Sequence, residues 1–167
     1  ADGKLMRFTV TANSNGGVGL SNIKFIVATT SAVVTNVNLF AYTDTGYSAG
    51  ISGFTSGQLL TTGLTPDVTT GYVTIAPTSV VNIPAGTTYY FELRGTVAAS
   101  ATTYSVTTTL RGDTAYPSLT YTYVPGGVGM MAASAAALGN VVWSPNATTT
   151  SAATHLDWTN GYGVAGL

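Results

Sequence analysis

Thr87-Thr-Tyr-Tyr-Phe-Glu-Leu-Arg-Gly-Thr-Val97 decides the fold class. Tyr89, Phe91 and Leu93 alternate with Tyr90, Glu92 and Arg94, and a side-chain period of two is what a strand with one buried face requires. A helix would scatter both sets around its circumference. Pro84-Ala-Gly86, just upstream, is a turn signal: proline presets φ and glycine accepts a positive φ.

The same period recurs outward from this stretch. Residues 4–12 set Met6, Phe8 and Val10 against Leu5, Arg7, Thr9 and Thr11, and Asn13-Ser-Asn-Gly-Gly17 follows as a turn. Residues 20–29 set Ile23, Phe25 and Val27 against Asn22, Lys24 and Ile26, and residues 33–42 run through Val37, Leu39 and Phe40 to a turn at Asp44-Thr-Gly46. Residues 48–66, with glycine at 50, 53, 57 and 63, read as a loop with short strands at most. Strands resume over 71–76 and 79–83. Downstream of Val97, Tyr104, Val106, Thr108 and Leu110 share one side of a strand, and residues 118–124 alternate Leu119, Tyr121 and Tyr123 with Thr120 and Thr122. About eight strands, rich in Thr, Val and Tyr and separated by Gly, Pro and Asn turns, predict an all-β, immunoglobulin-like antiparallel β-sandwich.

Residues 1–125 are the expected sandwich domain and residues 126–167 a C-terminal extension. The texture changes there: residues 126–138 are rich in Gly and Ala with some helical propensity, Val141-Val-Trp143 is followed by a polar run to Ser151, and an aromatic, glycine-containing tail closes the chain. The extension is expected to return to the sandwich or to pass to a neighbouring molecule. Residues 126–142 are also the best membrane-span candidate, but they are glycine-rich and sit at the lower limit of the ~17–25 residues a spanning helix needs. No span is expected.

Composition excludes several functions. Of 167 residues, 5 are Lys or Arg and 6 are Asp or Glu, giving a net charge of −1 and a charged share of 7%, against about 25% in an ordinary soluble domain. Cations scattered from Lys4 to Arg111 make no basic footprint for nucleic acid. A hydrophobic share of 45% is too high, and the net charge too small, for disorder. The absence of cysteine removes thiol catalysis, disulfides and Cys-ligated zinc. A start at Ala1 reads as a mature N-terminus or an excised fragment.

Chemistry-bearing motifs are sparse. His155, the one histidine, stands at i, i+2 from Asp157, which would place imidazole and carboxylate on one strand face. Asp2, Asp44, Asp67, Glu92 and Asp113 are dispersed, whereas a glycosidase needs two carboxylates across a cleft. Calcium-loop, dinucleotide, phosphate-loop and nucleophile-elbow patterns are all missing. The chain is therefore expected not to be an enzyme, with no catalytic residues, no cofactor and no metal. Glu92 and Arg94 share the outer face of their strand and are expected to pair across the sheet with Arg111 or Asp113. Asn146-Ala-Thr148 matches an N-glycosylation acceptor.

Two binding readings remain. Tyr72, Tyr90, Tyr104, Tyr116, Tyr121 and Tyr123 could form a planar row for glycans, as in a monomeric adhesin or carbohydrate-binding module; equally, Tyr-rich strands pack cores without any ligand. The second reading starts from edge strands, which natural monomers guard with Lys, inward charge, Pro or bulges. This chain has two lysines, Lys4 and Lys24; residues 20–29 carry only Lys24, and residues 33–42 and 104–110 carry no charge at all. Low charge also removes the repulsion that keeps molecules apart. Edges of this kind are either covered by loops and the extension or built to pair with another copy by strand addition.

Leu5-Met-Arg-Phe-Thr-Val-Thr-Ala12 with Gly17-Val-Gly-Leu20 and Lys24-Phe-Ile-Val27, then Ile83-Pro-Ala-Gly-Thr-Thr88, Arg94-Gly-Thr-Val97 and Arg111-Gly-Asp-Thr-Ala-Tyr-Pro117, resemble a β-sandwich domain of secreted and cell-surface proteins of Candidate Phyla Radiation (Patescibacteria) bacteria. The tail, Trp143-Ser-Pro-Asn-Ala-Thr-Thr-Thr-Ser151 with His155-Leu-Asp-Trp-Thr-Asn-Gly-Tyr-Gly163, is its most specific part. The chain departs from that pattern in ending Val164-Ala-Gly-Leu167 and in an apolar rather than acidic segment over 130–138. The resemblance implies export and surface display, and supplies no catalytic residue or ligand.

The combined expectation is a self-assembling extracellular structural subunit of a filament, pilus-like appendage or surface layer, with copies of itself as partners. Glycans or another cell's surface are further candidate partners. Assembly is expected to use Leu5, Phe8 and Val10 in the first strand, with Met130, Met131, Leu138, Val142, Trp143, Leu156 and Trp158 in the extension.

Overall fold

A computed structural model describes residues 3–113, 139–146 and 159–160. The strands are β1 (Lys4–Thr11), β2 (Val18–Thr30), β3 (Ala32–Tyr42), β4 (Tyr72–Ile75), β5 (Val81–Ile83), β6 (Thr88–Ala99), β7 (Ser105–Leu110), β8 (Val141–Ser144) and β9 (Thr159–Asn160), with one 3-10 turn at Thr55–Gly57. The fold is all-β, with antiparallel sheets packed against each other as a β-sandwich. No helix among the described residues is long and apolar enough to cross a membrane. The expected strand at 118–124 lies outside the described residues.

Two compact units divide the chain. The first holds the residues up to Val10, Lys24–Ile75 and Thr88–Leu110. Its three-stranded sheet has the order β1-β6-β3. β6 and β3 pair antiparallel from Ala32↔Ala99 to Thr35↔Thr96 and again from Asn38↔Arg94 to Tyr42↔Tyr90. A bulge lies between, where Asn36 takes a φ of 52°. On the facing sheet the second half of β2 pairs antiparallel with β7, from Phe25↔Leu110 to Thr30↔Ser105, and β4 also joins β2.

The alternation in Thr87–Val97 holds for Phe91 and Leu93, but the opposite face is not open: Glu92 is fully buried too, and Tyr89 and Tyr90 are both half-buried. Phe91 and Leu93 are fully buried in the core with Leu39, Val37 and Phe25. Phe8 of β1 stacks on Phe91, ring centroids 5.0 Å apart and planes 8° from parallel, and meets Phe25 of the facing sheet at 6.1 Å. Tight aromatic contacts of this sort add to the burial of large apolar area.

The glycine-rich residues 48–66 do more than connect strands. Ile51 and Leu59 donate backbone hydrogen bonds to Ala41 and Leu39, and Val37 and Leu64 exchange a pair at 2.7 and 2.8 Å, so this loop runs along the free side of β3. The Asn38 side chain completes the seam: its amide donates to the Leu60 carbonyl at 2.8 Å and its oxygen accepts from the Leu60 N–H at 3.1 Å. Ile51 and Leu59 are themselves buried. Gly63 is needed here, because a Cβ would sit 2.6 Å from the Asn36 backbone.

The second unit holds Thr11–Ile23, Ala76–Thr87 and the described residues from Arg111 onward. The first half of β2 pairs antiparallel with β5 (Val18↔Ile83 to Leu20↔Val81) and with β8 (Gly19↔Ser144, Leu20↔Trp143, Ile23↔Val141), and β9 pairs with β8. The register shifts between Leu20 and Ile23, and Ser21 and Asn22 are both buried there. That departs from strict alternation, which set Asn22 opposite Ile23; a bulge breaks the period of two by re-aiming one side chain. The Asp113 carboxylate fixes the start of β8 by accepting from the backbone N–H groups of Asn140 and Val141, at 2.7 and 2.8 Å. Part of the extension thus returns to pair with β2 of its own chain.

Truncation of Phe91 should expose how much rests on this core. Phe91→Ala is expected to lower the unfolding free energy by about 3–5 kcal/mol in a urea titration, and a loss below about 1 kcal/mol would contradict the packing described.

Candidate functional site

On the opposite face of β6 from Phe91 and Leu93 lies a polar and aromatic layer. The cross-strand rows Tyr42↔Tyr90, Phe40↔Glu92 and Asn38↔Arg94 set its geometry. Glu92 is fully buried, yet it is a carboxylate: one oxygen accepts from Arg94 Nε and the other from Arg7 Nε and Nη2. The side chains of Arg7 and Arg94 keep 44% and 38% of their surface in solvent, so each cation is hydrated on its outer side. Burial by itself would raise the Glu92 pKa; the hydrogen bonds from Arg94 and Arg7 outweigh it and hold the carboxyl below its ordinary value.

Aromatic rings enclose these charges. The Arg94 guanidinium lies 4.4 Å over Phe40 and donates from Nη2 to the Tyr42 hydroxyl at 2.8 Å; Arg7 lies 3.9 Å over Tyr47. Tyr47 stands edge-on to Tyr42 and Tyr90 at 5.7 and 6.2 Å. Tyr47 has a φ of 56°, a conformation set by the turn that Asp44 organises. The Asp44 carboxylate accepts from the backbone N–H of Ala49 and from Ser48, bonds that keep its pKa below the usual carboxylate value. Burial pushes the Tyr42 phenol up.

This arrangement corrects the expected pairing of Glu92 and Arg94 with Arg111 or Asp113. Glu92 instead joins Arg94 on its own strand and Arg7, 85 residues away in sequence, while Asp113 caps β8. Nothing local in the sequence marks Arg7 as a partner; Glu-x-Arg on one strand face was the readable half of the cluster.

The second candidate feature is the edge of each sheet. Three charge-poor stretches were singled out by sequence, and the structure separates them. Residues 20–29 belong to β2, a strand paired with β4, β5, β7 and β8 and so not an edge. β3 ends its sheet but is covered by residues 49–64. β7 pairs with β2 alone among the described residues. Beside β7 lies a groove of about 230 Å³ lined in part by Leu5, Val97, Tyr104 and Val106. Tyr104, just ahead of β7, and Leu110, its last residue, are 42% and 36% exposed.

The expected assembly residues fall in several places. Leu5 lines that groove, Val10 is half-buried, and Phe8 is committed to the core contact with Phe91 and Phe25. Val142 is fully buried and Trp143 half-buried on β8, where they pair within their own chain. Met130, Met131, Leu138, Leu156 and Trp158 lie outside the described residues, as do His155 and Asp157. Of the tyrosines considered for a glycan row, Tyr90 belongs to the aromatic layer and Tyr72 and Tyr104 are exposed on β4 and just ahead of β7; Tyr116, Tyr121 and Tyr123 lie outside the described residues.

No protein-family model, curated protein or solved structure matches the chain.

The Glu92 cluster carries a pH signature. A carboxyl whose pKa falls on folding contributes stability that is fully present above its unfolded value, near 4.5, and is lost as pH drops through the folded value. Glu92→Gln is expected to cost about 1–3 kcal/mol at pH 7, the partly hydrated arginines keeping it in that range. By denaturant titration, the gap between wild type and variant should narrow at pH 3; a gap independent of pH would show that Glu92 is not held ionised.

Proposed function

We propose that the chain is an extracellular structural subunit that joins copies of itself into a filament, pilus-like appendage or surface layer by strand addition at β7. One observation supports this reading above the rest. β7, Ser-Val-Thr-Thr-Thr-Leu, has no charged or proline residue and has one partner strand among the described residues, whereas the free side of β3 is closed by a loop. An uncharged, β-branched edge is a template for another strand. Main-chain hydrogen bonds would supply the affinity and alternate side chains the register.

Symmetry decides what such an edge builds. Pairing β7 with β7 of a second copy is isologous and stops at a dimer, while pairing β7 with a different strand is heterologous and propagates. Among the described residues β1 ends the three-stranded sheet, and it carries Leu5 beside β7, which makes it the acceptor assigned in the next copy. The small net charge of −1 imposes little repulsion on a growing polymer. Export is supported by the resemblance of residues 5–117 and of the tail to secreted and surface-displayed β-sandwich proteins.

Charge on the edge tests this directly. Thr107 and Thr109 are both exposed on β7, so the double substitution Thr107→Lys, Thr109→Lys should leave the circular dichroism spectrum unchanged. Negative-stain electron microscopy over a concentration series should show filaments or lattices for the wild type and dispersed particles for the variant. Dispersed wild-type particles at every concentration, or a variant that polymerises equally well, would overturn the proposal.

A further inference from the structure

A groove of about 640 Å³ lies against the outer side of β3 and β6 in the first unit, and its walls include Asn36, Phe40, Gln58, Thr61, Thr62 and Arg94. Its polar groups are amide, hydroxyl and guanidinium, set beside the apolar Phe40 and Val97, and no acidic side chain lines it. Glu92 neutralises one of the two arginines bonded to it, so the cluster behind the groove keeps one net positive charge.

Arg94 is set in place before any ligand arrives. Nε is bonded to Glu92, Nη2 to the Tyr42 hydroxyl, and the guanidinium plane is held over Phe40. Nη1 makes no hydrogen bond among the described residues, and 38% of the side chain is exposed. A fixed guanidinium with an open nitrogen favours a carboxylate, because charge-assisted hydrogen bonds are the strong ones and an immobile donor loses little entropy on binding. Gln58 donates its amide to the Leu60 carbonyl, which orients its own side-chain oxygen as an unused acceptor. Thr61, Thr62 and Asn36 are exposed and offer both donors and acceptors.

We propose that this groove binds a carboxylate-bearing saccharide, the carboxylate on Arg94 and the hydroxyls on Gln58, Thr61, Thr62 and Asn36. Several uncharged donors and acceptors around one cation match a polyhydroxylated acid. An acidic peptide fits less well, since the β3 edge that would pair with its backbone is occupied by the chain's own residues at Leu59 and Leu64. This groove adjoins the one beside β7 at Gly3 and Val97, but the contacts assigned to the saccharide involve no residue of β7, and neither reading requires the other.

Titration calorimetry with trigalacturonate, its methyl ester and an oligoglutamate peptide tests the proposal. Trigalacturonate should bind at least about tenfold more tightly than the ester, which keeps the hydroxyls and lacks the charge. Thr62→Trp, at an exposed position, should fill the groove and weaken binding by about tenfold or more without altering the fold. Arg94→Lys should retain part of the affinity, because it keeps the charge and loses the planar fork. The edge variant Thr107→Lys, Thr109→Lys should bind as the wild type does, so that failure of assembly and failure of the groove are distinguishable. Absence of trigalacturonate binding at millimolar concentration would overturn the proposal. So would equal binding of the ester or the peptide, or an unchanged affinity in Thr62→Trp.

Discussion

Every backbone N–H and C=O withdrawn from water must find a partner, and in a sandwich of short strands this requirement is met or left open at the sheet edges. The chain meets it differently at each edge. Along β3, residues 49–64 supply the missing partner: backbone groups of Ile51, Leu59 and Leu64 stand where a further strand would be, and the buried amide of Asn38 fills a gap in that ladder at Leu60. Along β7 there is no equivalent among the described residues. The contrast gives the charge-poor surface its meaning, because the same molecule closes one edge with core-forming residues and leaves another without a charged guard.

β6 links the edges to the interior. One of its faces carries Phe91 and Leu93 into the core; the other carries Glu92 and Arg94 into a layer of charge and aromatic rings. A buried carboxylate is costly unless its charge is paired and its oxygens are bonded. Arg7 from β1 and Arg94 from β6 provide both, so the cluster ties the end strand β1 to its neighbour through side chains as well as through main-chain hydrogen bonds. It also fixes Arg94 at the mouth of the groove, where a mobile arginine would offer a weaker site. Rigidity at the edge and a preset donor in the groove therefore have one origin.

Much of this was legible in the sequence, and what was not has identifiable causes. The alternation of Tyr89, Phe91 and Leu93 with Tyr90, Glu92 and Arg94 is local, and it separated the two faces of β6, though not that Glu92 on the outer one would be buried. Residues 48–66 were recognisable as a loop from their glycines, but their role as the cover of β3 depends on pairings with a strand some twenty residues earlier. Charge poverty alone could not separate edge from centre: it marks β2, which has partners along both halves, and equally β7, which among the described residues has no partner beyond β2. The bulge at Ser21 and Asn22 and the reach of Arg7 to Glu92 are tertiary, and no periodicity announces them. Within the extension, Val142 and Trp143 were readable as apolar anchors, though not that their partner would be β2 of the same chain.

Strand addition requires β7 to acquire a partner when copies meet. Amide hydrogen exchange over Ser105–Leu110, followed as protein concentration is raised, measures this directly, since a newly paired edge protects its outward N–H groups. Protection that grows with concentration in β7, while the amides of β3 stay constant, is the predicted result. Exchange in β7 that is equally fast at the lowest and highest concentrations would contradict strand addition at this edge.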